Sequence, residues 1–299
     1  MEWLNYHHLL YFWLVAKKGG VTQASAELRL AQPTISAQIR ALEHALGEKL
    51  FNRVGKRLVL TDVGQVVFRY AEEIFSIGRE LQQTLKGRPG HRPLRLVVGI
   101  ADVVPKMVAL KLLEPALHLT ETVQLICRED KSDRLLAELS RYALDVVLTD
   151  APAGPSVKVR AYNHLLGESP IVFCGTKRLA SLYRRKFPQS LNEAPMLLPA
   201  ENTMLRGSLN QWFEANNLRP KVVGEFEDSA LLMVFGQKGI GLFPVPVVIE
   251  KEVNRQYGVC RVGTAGGVIE RFYAVSLERK LRHPAMIAVN DAARQKLFQ

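Results

Sequence analysis

The sequence predicts an α/β multidomain chain: a small helical head with a basic hairpin, one long helix, and a larger two-lobed α/β part. Three observations carry this. The 299 residues exceed one ordinary domain, and a hydrophobic fraction of 47% is ample for packed cores. Apolar residues recur at helical spacing up to about residue 85, whereas beyond residue 93 short strand-like runs alternate with amphipathic helices. Between these regions Gly87-Arg88-Pro89-Gly90-His91-Arg92-Pro93 has no apolar periodicity and reads as a hinge.

In chain order, Leu9, Phe12, Trp13 and Ala16 mark one helical face that Gly19-Gly20 should stop. Thr22 is expected to cap a short second helix holding Ala24, Ala26 and Leu28. Ile35, Ile39, Leu42 and Leu46 then define a third helix, about Pro33 to Ala45, with Gly47 as its C-cap. Residues 49–60 alternate and are basic around Val54-Gly55-Lys56-Arg57, as suits a β-hairpin; a long helix should follow Thr61 and run to about Leu85. Downstream, strands are expected at Leu94–Ala101, Val123–Arg128, Asp145–Thr149, Pro170–Cys174, Met196–Leu198, Val222–Phe226 and Ile240–Pro244, in largely parallel sheets. The expected division is residues 1–60, 61–86, a hinge at 87–93, then 94–161 with 268–299 as one lobe and 162–267 as the other. The chain would cross near Tyr162 and return near Val268.

Charge and cysteines narrow the function. The net charge is +11, and residues 1–93, under a third of the chain, hold 13 basic and 8 acidic side chains, +5 of that excess. This points to a polyanionic partner for the head. Three distant cysteines without CxxC spacing argue against a disulfide framework or a zinc site, and fit a reducing cytoplasm. No apolar run is long enough to span a bilayer, so no membrane role is expected, and the N-terminus has no signal-peptide pattern.

The second and third helices, joined by Arg29-Leu30-Ala31-Gln32, make a helix-turn-helix, and with the hairpin a winged one. With Ile35, Ile39 and Leu42 inward, the opposite flank presents Pro33, Ser36, Ala37, Arg40 and Ala41, with Thr34 beside it. Gln32, Pro33, Thr34, Ser36 and Arg40 are thus the candidate contacts to bases and phosphates of double-stranded DNA, and Arg53, Lys56 and Arg57 of the wing grip the flanking backbone.

On these residues the chain resembles a known family. Ala24-Ser25-Ala26-Glu27-Leu28, Gln32-Pro33-Thr34-Ile35-Ser36-Ala37-Gln38-Ile39-Arg40-Ala41-Leu42-Glu43, Leu50-Phe51-Asn52-Arg53 and Leu60-Thr61-Asp62-Val63-Gly64 resemble the N-terminal domain of LysR-type transcriptional regulators. One departure is Ala37, where many members carry Arg. The resemblance implies a periplasmic-binding-protein-like effector domain, a tetramer built from two dimers, and contact with RNA polymerase. Leu4-Asn5-Tyr6-His7-His8-Leu9, Gly224-Glu225-Phe226-Glu227-Asp228-Ser229 and His283-Pro284-Ala285 further resemble the NhaR-like branch, whose members activate a sodium/proton antiporter gene. That implies a response to Na+ (or Li+) and pH.

Val63, Val67, Tyr70, Ile74, Ile77 and Leu81 recur at alternating four and three residues, a heptad seam expected to pair two chains. Burying such side chains at roughly 1.5–3 kcal/mol each could hold a homodimer, and a dimer selects a two-fold symmetric operator. Phe68 and Phe75 broaden the stripe, while Arg69, Glu72, Glu73 and Arg79 take the wetter positions.

In open α/β sheets ligands bind beyond the carboxyl ends of strands. Here those exits carry Asp102, Asp130, Thr149, Asp150, Asn202, Thr203, Glu227 and Asp228, the candidate effector residues. Carboxylate and hydroxyl oxygens suit a hard cation, so Asp102, Asp150 and Asp228 are the candidate Na+ ligands. The competing reading is that Asp102, Asp130 and Asp228 simply cap helices. No cofactor is expected. Alternatives are a regulator of the same type answering a small organic metabolite, a two-lobed α/β enzyme, for which no P-loop, GxGxxG, HExxH or GxSxG is present, a solute-binding protein, and a nonspecific nucleoid protein.

Overall fold

The computed structural model describes residues 4–54, 57–85, 93–154, 161–277, 279, 281 and 283–298. The chain forms two compact units, residues 1–92 with 141–143 and residues 93–140 with 144–299.

The first unit contains α1 (Tyr6–Lys18), α2 (Val21–Leu28), α3 (Gln32–Leu46), β1 (Phe51–Val54), β2 (Arg57–Leu60) and α4 (Asp62–Leu85). Asn5 starts α1, its Oδ1 accepting from the N–H groups of His7 and His8. Gly19 and Gly47, at φ 77° and 70°, end α1 and α3 in the left-handed conformation that glycine adopts without strain. Thr22 is not a cap: α2 starts one residue earlier, directly from Gly20, with no side-chain cap. Here the Gly19-Gly20 turn delivers an extended backbone straight into the helix. α4 starts after Thr61 as expected, and Thr61 caps it, accepting from the Gly64 N–H at 2.8 Å and donating to the Lys49 carbonyl at 2.6 Å. Gly64 is required by close approach, since a Cβ there would lie 2.0 Å from the Leu50 carbonyl oxygen. A single core joins Phe12 and Trp13, Ala24, Ile35, Ile39 and Leu42, Leu50 and Ala71.

The second unit contains β3 (Leu94–Ala101), α5 (Lys106–Leu117), β4 (Val123–Asp130), α6 (Ser132–Ser140), β5 (Val146–Thr149), β6 (Tyr162–Thr176), α7 (Lys177–Arg184), β7 (Pro195–Pro199), α8 (Met204–Ala215), β8 (Lys221–Phe226), α9 (Ser229–Gln237), β9 (Phe243–Pro246), α10 (Glu250–Tyr257), β10 (Val259–Ser276) and α11 (Pro284–Ala292). Its main sheet has the order β4-β3-β5-β10-β6-β9, and β7 pairs with β8. The expectation of largely parallel sheets needs correction. Among the described strand pairs of this unit, β3–β4, β3–β5 and β7–β8 are parallel, whereas β10 runs antiparallel to β5 and β6, and β6 to β9.

The reason is that β6 and β10 are long paired strands shared by both lobes. Tyr162 opens β6, and Val268 lies in the step where pairing jumps from Ala265↔Ile171 to Ile269↔Pro170. One core gathers β3, β5, α5, α6 and α11 around Leu96, Leu112, Leu135 and Val289. A second gathers α7, β7 and α8 around Phe173, Met196, Leu209 and Phe213. The strand expected at Ile240–Pro244 begins only at Phe243, and no expected strand corresponds to β10. The expected hinge lies, apart from Pro93, outside the described residues.

Candidate functional site

The third helix presents two sharply different sides. Ile35, Ile39 and Leu42 are 0%, 6% and 1% exposed. Gln32, Pro33, Thr34, Ala37, Arg40 and Ala41 are exposed, and Ser36 is half-buried. No side chain caps the start of α3, a position that suits an anion such as a phosphate. Arg53 is exposed on β1 beside Leu58 of β2. Lys56 lies outside the described residues, as does the side chain of Arg57.

What fixes α3 against the hairpin was not foreseen. Glu43 is 8% exposed, and its Oε1 accepts from the N–H groups of Leu50 at 2.9 Å and Phe51 at 3.4 Å. Its Oε2 accepts from Lys49 Nζ at 2.9 Å. Burial raises the Glu43 pKa, but the Lys49 hydrogen bond, the two backbone N–H groups and the Lys49 charge outweigh it, so the carboxyl sits below its usual range. Ser25 Oγ donates to the Leu30 carbonyl at 2.7 Å and closes the turn between α2 and α3.

The apolar stripe of α4 divides in two. Val67, Ile74, Phe68 and Phe75 are half-buried against the core of the same unit, so half of the expected stripe covers its own head. Val63, Tyr70, Ile77 and Leu81 stay 38%, 58%, 60% and 60% exposed. Glu72, expected in a wet position, is instead engaged. It accepts from Trp13 Nε1 at 2.5 Å and from Lys17 at 3.2 Å, while Lys17 and Arg79 lie 4.5 and 5.3 Å from the Trp13 ring.

In the second unit most of the expected effector carboxylates have local partners. Asp228 caps α9 through the Leu231 N–H at 2.8 Å and lies 3.6 Å from Lys106. Asp130 accepts from the Lys131 N–H and pairs with Arg134 at 3.3 Å. Glu227 pairs with Lys131 at 3.0 Å. Thr203 caps α8, Asn202 is exposed, and Thr149, 2% exposed, meets Ser132 Oγ at 3.2 Å. Among the described residues no three His, Cys, Asp or Glu side chains gather to hold a metal ion. The trio Asp102, Asp150 and Asp228 therefore does not assemble: capping and lysine pairing hold Asp228 in place.

A cleft of about 500 Å³, open mouth included, lies within this unit and contains Asp150, Thr203 and Glu227. Its walls are mostly apolar, with Val103, Leu205, Phe226, Leu232 and Met233 among them. It also contains a residue that the reading of strand ends missed, Glu270, 5% exposed, whose Oε2 has no hydrogen-bond partner. Burial, then the charge of Asp150, pushes the Glu270 carboxyl up to about 8. Asp150 is also raised, first by burial and then by Asp102, against the pull of its own N–H and the Thr149 hydroxyl. Asp102 is raised by burial, against the Val103 N–H, with Glu227 adding to the rise. A signal for Glu270 did exist: β10 alternates, and Val268, Glu270, Phe272 and Ala274 share the buried side.

Residues 6–65 match the family model described as bacterial regulatory helix-turn-helix protein, lysR family, and residues 90–297 match the LysR substrate binding domain. The chain is 32% identical over 298 residues to the transcriptional activator protein NhaR of Escherichia coli (strain K12), covering 100% of this chain and 98% of that one. It is 24% identical over 263 residues to the HTH-type transcriptional activator CmpR of Synechocystis, covering 86% and 84%. Among solved structures, full-length LysG from Corynebacterium glutamicum with bound effector Arg aligns with a TM-score of 0.63 at 17% identity, covering 99% and 100%. Full-length CbnR complexed with its target DNA aligns with a TM-score of 0.55 at 18% identity, covering 97% and 99%. No helix among the described residues is long and apolar enough to cross a membrane.

Proposed function

Since the chain belongs to the LysR family of bacterial transcriptional regulators, we propose that it activates transcription of a sodium/proton antiporter gene in response to Na+ (or Li+) and pH. Members of this family are regulators and not enzymes, which removes the catalytic alternative. In our reading the protein works in the cytoplasm as a homodimer, paired again into a homotetramer, on a two-fold symmetric operator and together with RNA polymerase. Gln32, Pro33, Thr34, Ser36 and Arg40 read the major groove, while Arg53, Lys56 and Arg57 hold the flanking backbone. Val63, Tyr70, Ile77 and Leu81 form the outer part of the dimer seam, with Val67 and Ile74 beneath. The lobes are residues 94–161 with 268–299 and residues 162–267, and an effector between them resets the paired reading heads.

The single observation that carries the DNA-reading part is the two-sidedness of α3: isoleucines buried, the small and polar flank open. Full-length similarity to an activator supports the sign of regulation, and the resemblance to the NhaR-like branch supports the antiporter gene. A second reading, an organic metabolite as effector, is favoured by the apolar walls of the cleft.

Footprinting the full-length protein on upstream DNA, in matched NaCl and KCl, tests this. We expect one symmetric protected site whose affinity or extent changes with Na+ and not with K+. Uniform protection along the DNA would defeat specific reading. A symmetric site indifferent to Na+ would leave the regulator standing and remove the sodium response.

A further inference from the structure

We propose that Glu270 and Asp150 form an anionic anchor in the cleft, and that its effector is a small organic cation: a primary ammonium or guanidinium group on a compact apolar body. The proposal rests on the second reading above, an organic effector in this cleft, and takes the place of direct Na+ binding there.

Glu270 is the central observation. It extends from the middle of a strand that both lobes share, it is only 5% exposed, and one of its oxygens has no partner. An acid buried that way is costly unless something donates to it. Its chain neighbour Arg271 does not help, being exposed and bonded to Glu168 at 2.7 Å. Lys106 and Lys131 are engaged as well, Lys106 with Glu129 and Asp228, and Lys131 with the cleft residue Glu227. Among the described residues that line the cleft there is no Lys, Arg or His, whereas Asp150, Glu227 and Glu270 are present. Ser229 Oγ, at the start of α9 and also lining the cleft, is a second buried oxygen without a partner among the described residues.

The ligand class follows from exclusion. An anion would meet three carboxyl groups and, among the described lining residues, no cation. A bare metal ion would need a cluster of ligands, and none assembles among the described residues. A neutral polar molecule would leave the Asp150 charge unpaired. An ammonium or guanidinium group supplies donors to Glu270 Oε2, to Asp150 and to Ser229 Oγ, and its charge favours the ionised form of both acids. Its apolar body would lie against Val103 on one side and Phe226, Leu232 and Met233 on the other. Such a ligand touches both lobes at once, so binding favours one degree of closure.

The experiment measures ligand-induced shifts in the melting temperature of the full-length protein. The probes are isoamylamine and agmatine as cations, isovaleramide as a neutral isostere, isovalerate as an anion, and NaCl and KCl. We expect the two cations to raise the melting temperature at millimolar concentration and the isosteres to leave it unchanged. We expect Glu270→Gln and Asp150→Asn each to weaken amine binding by about tenfold or more. Equal shifts from isovaleramide or isovalerate, a response to NaCl alone, or undiminished amine binding in the variants would overturn the proposal. The wild-type comparison of cation with isostere decides the matter even if a variant fails to fold. Footprinting without any probe keeps the two readings apart. A symmetric footprint alongside failed amine binding sinks the anchor alone; amine binding without a footprint sinks the DNA-reading role alone.

Discussion

Glu43 and Glu270 are both more than nine-tenths buried, one in each unit, and they are held in opposite ways. Glu43 accepts from two backbone N–H groups and a lysine, and its pKa is lowered. Glu270 leaves an oxygen unpartnered on a cleft wall, and its pKa is raised to about 8. A fully satisfied buried carboxylate is a structural brace: here it locks α3 to the β1–β2 hairpin. An unsatisfied one costs stability, and its place in a cleft marks it for a partner from outside.

The largest effect is expected at the brace. Glu43→Ala strands the amides of Leu50 and Phe51 and frees the end of α3, costing about 3 kcal/mol. Hydrogen exchange at the Leu50 amide is the direct measurement; unchanged protection would show that Glu43 does not hold the wing. The pH sign follows from its lowered pKa. The stabilisation is present above the ordinary value of 4.5 and is lost as pH falls through the folded value.

Glu270 reverses that sign. The folded protein keeps its proton to about pH 8, while the unfolded chain loses it near 4.5. Between those values the folded state binds more protons, so stability falls as pH rises and the loss is complete above about 8. Each tenfold change in proton affinity on folding is worth about 1.4 kcal/mol, and water in the open cleft reduces the total. Glu270→Gln should therefore stabilise the second unit by roughly 2 kcal/mol at pH 8 and have little effect below pH 5. Denaturant titrations at the two pH values check this. A variant less stable at both would mean that Glu270 is braced after all, and the contrast with Glu43 would vanish. The charged groups in question on the surrounding elements are Asp150, Asp102 and Glu227.

The contrast also explains what the sequence could tell. The head was legible almost to the residue, because its helices carry their own punctuation: Gly19 and Gly47 in left-handed caps, Thr61 before α4, isoleucines four apart on α3. Glu43 stood within the family motif, yet its role depends on amides seven and eight residues away, which no local pattern displays. In the second unit the short central strands were visible as apolar runs. The long strand β10 was hidden by Gly263, Gly266 and Gly267, which resemble breakers but sit where its pairing steps between registers. Missing that strand meant missing Glu270. Strand ends, where ligand residues ordinarily lie, here carry acids such as Asp228 that the fold uses as caps.

A third acid lies between the extremes. The Glu72 carboxylate is 27% exposed; burial raises its pKa, but donation from Trp13 and Lys17 and the charges of Lys17 and Arg79 lower it overall. Trp13→Phe keeps the ring contact with Phe75 and removes the 2.5 Å hydrogen bond, so a loss of about 1 kcal/mol is expected. The first unit's thermal transition measures it; no change would place Glu72 with exposed surface acids and not with Glu43.

The smallest effect sharpens the reason that Glu43 is firm. Lys49 is the only charged partner of that carboxylate among the described residues, yet its own side chain is 75% exposed. An exposed lysine spends side-chain entropy to hold one geometry, and water screens its charge, so such a pair contributes little. The two backbone donors are already fixed by the turn leading into β1 and lose nothing further by pointing at the carboxylate. Lys49→Ala should therefore cost less than about 0.5 kcal/mol, leave Leu50 exchange protected, and be insensitive to salt. A loss approaching that of Glu43→Ala, shrinking at high salt, would mean that the brace is ionic. The difference between the two buried acids would then be one of neighbouring charge and not of satisfied hydrogen bonds.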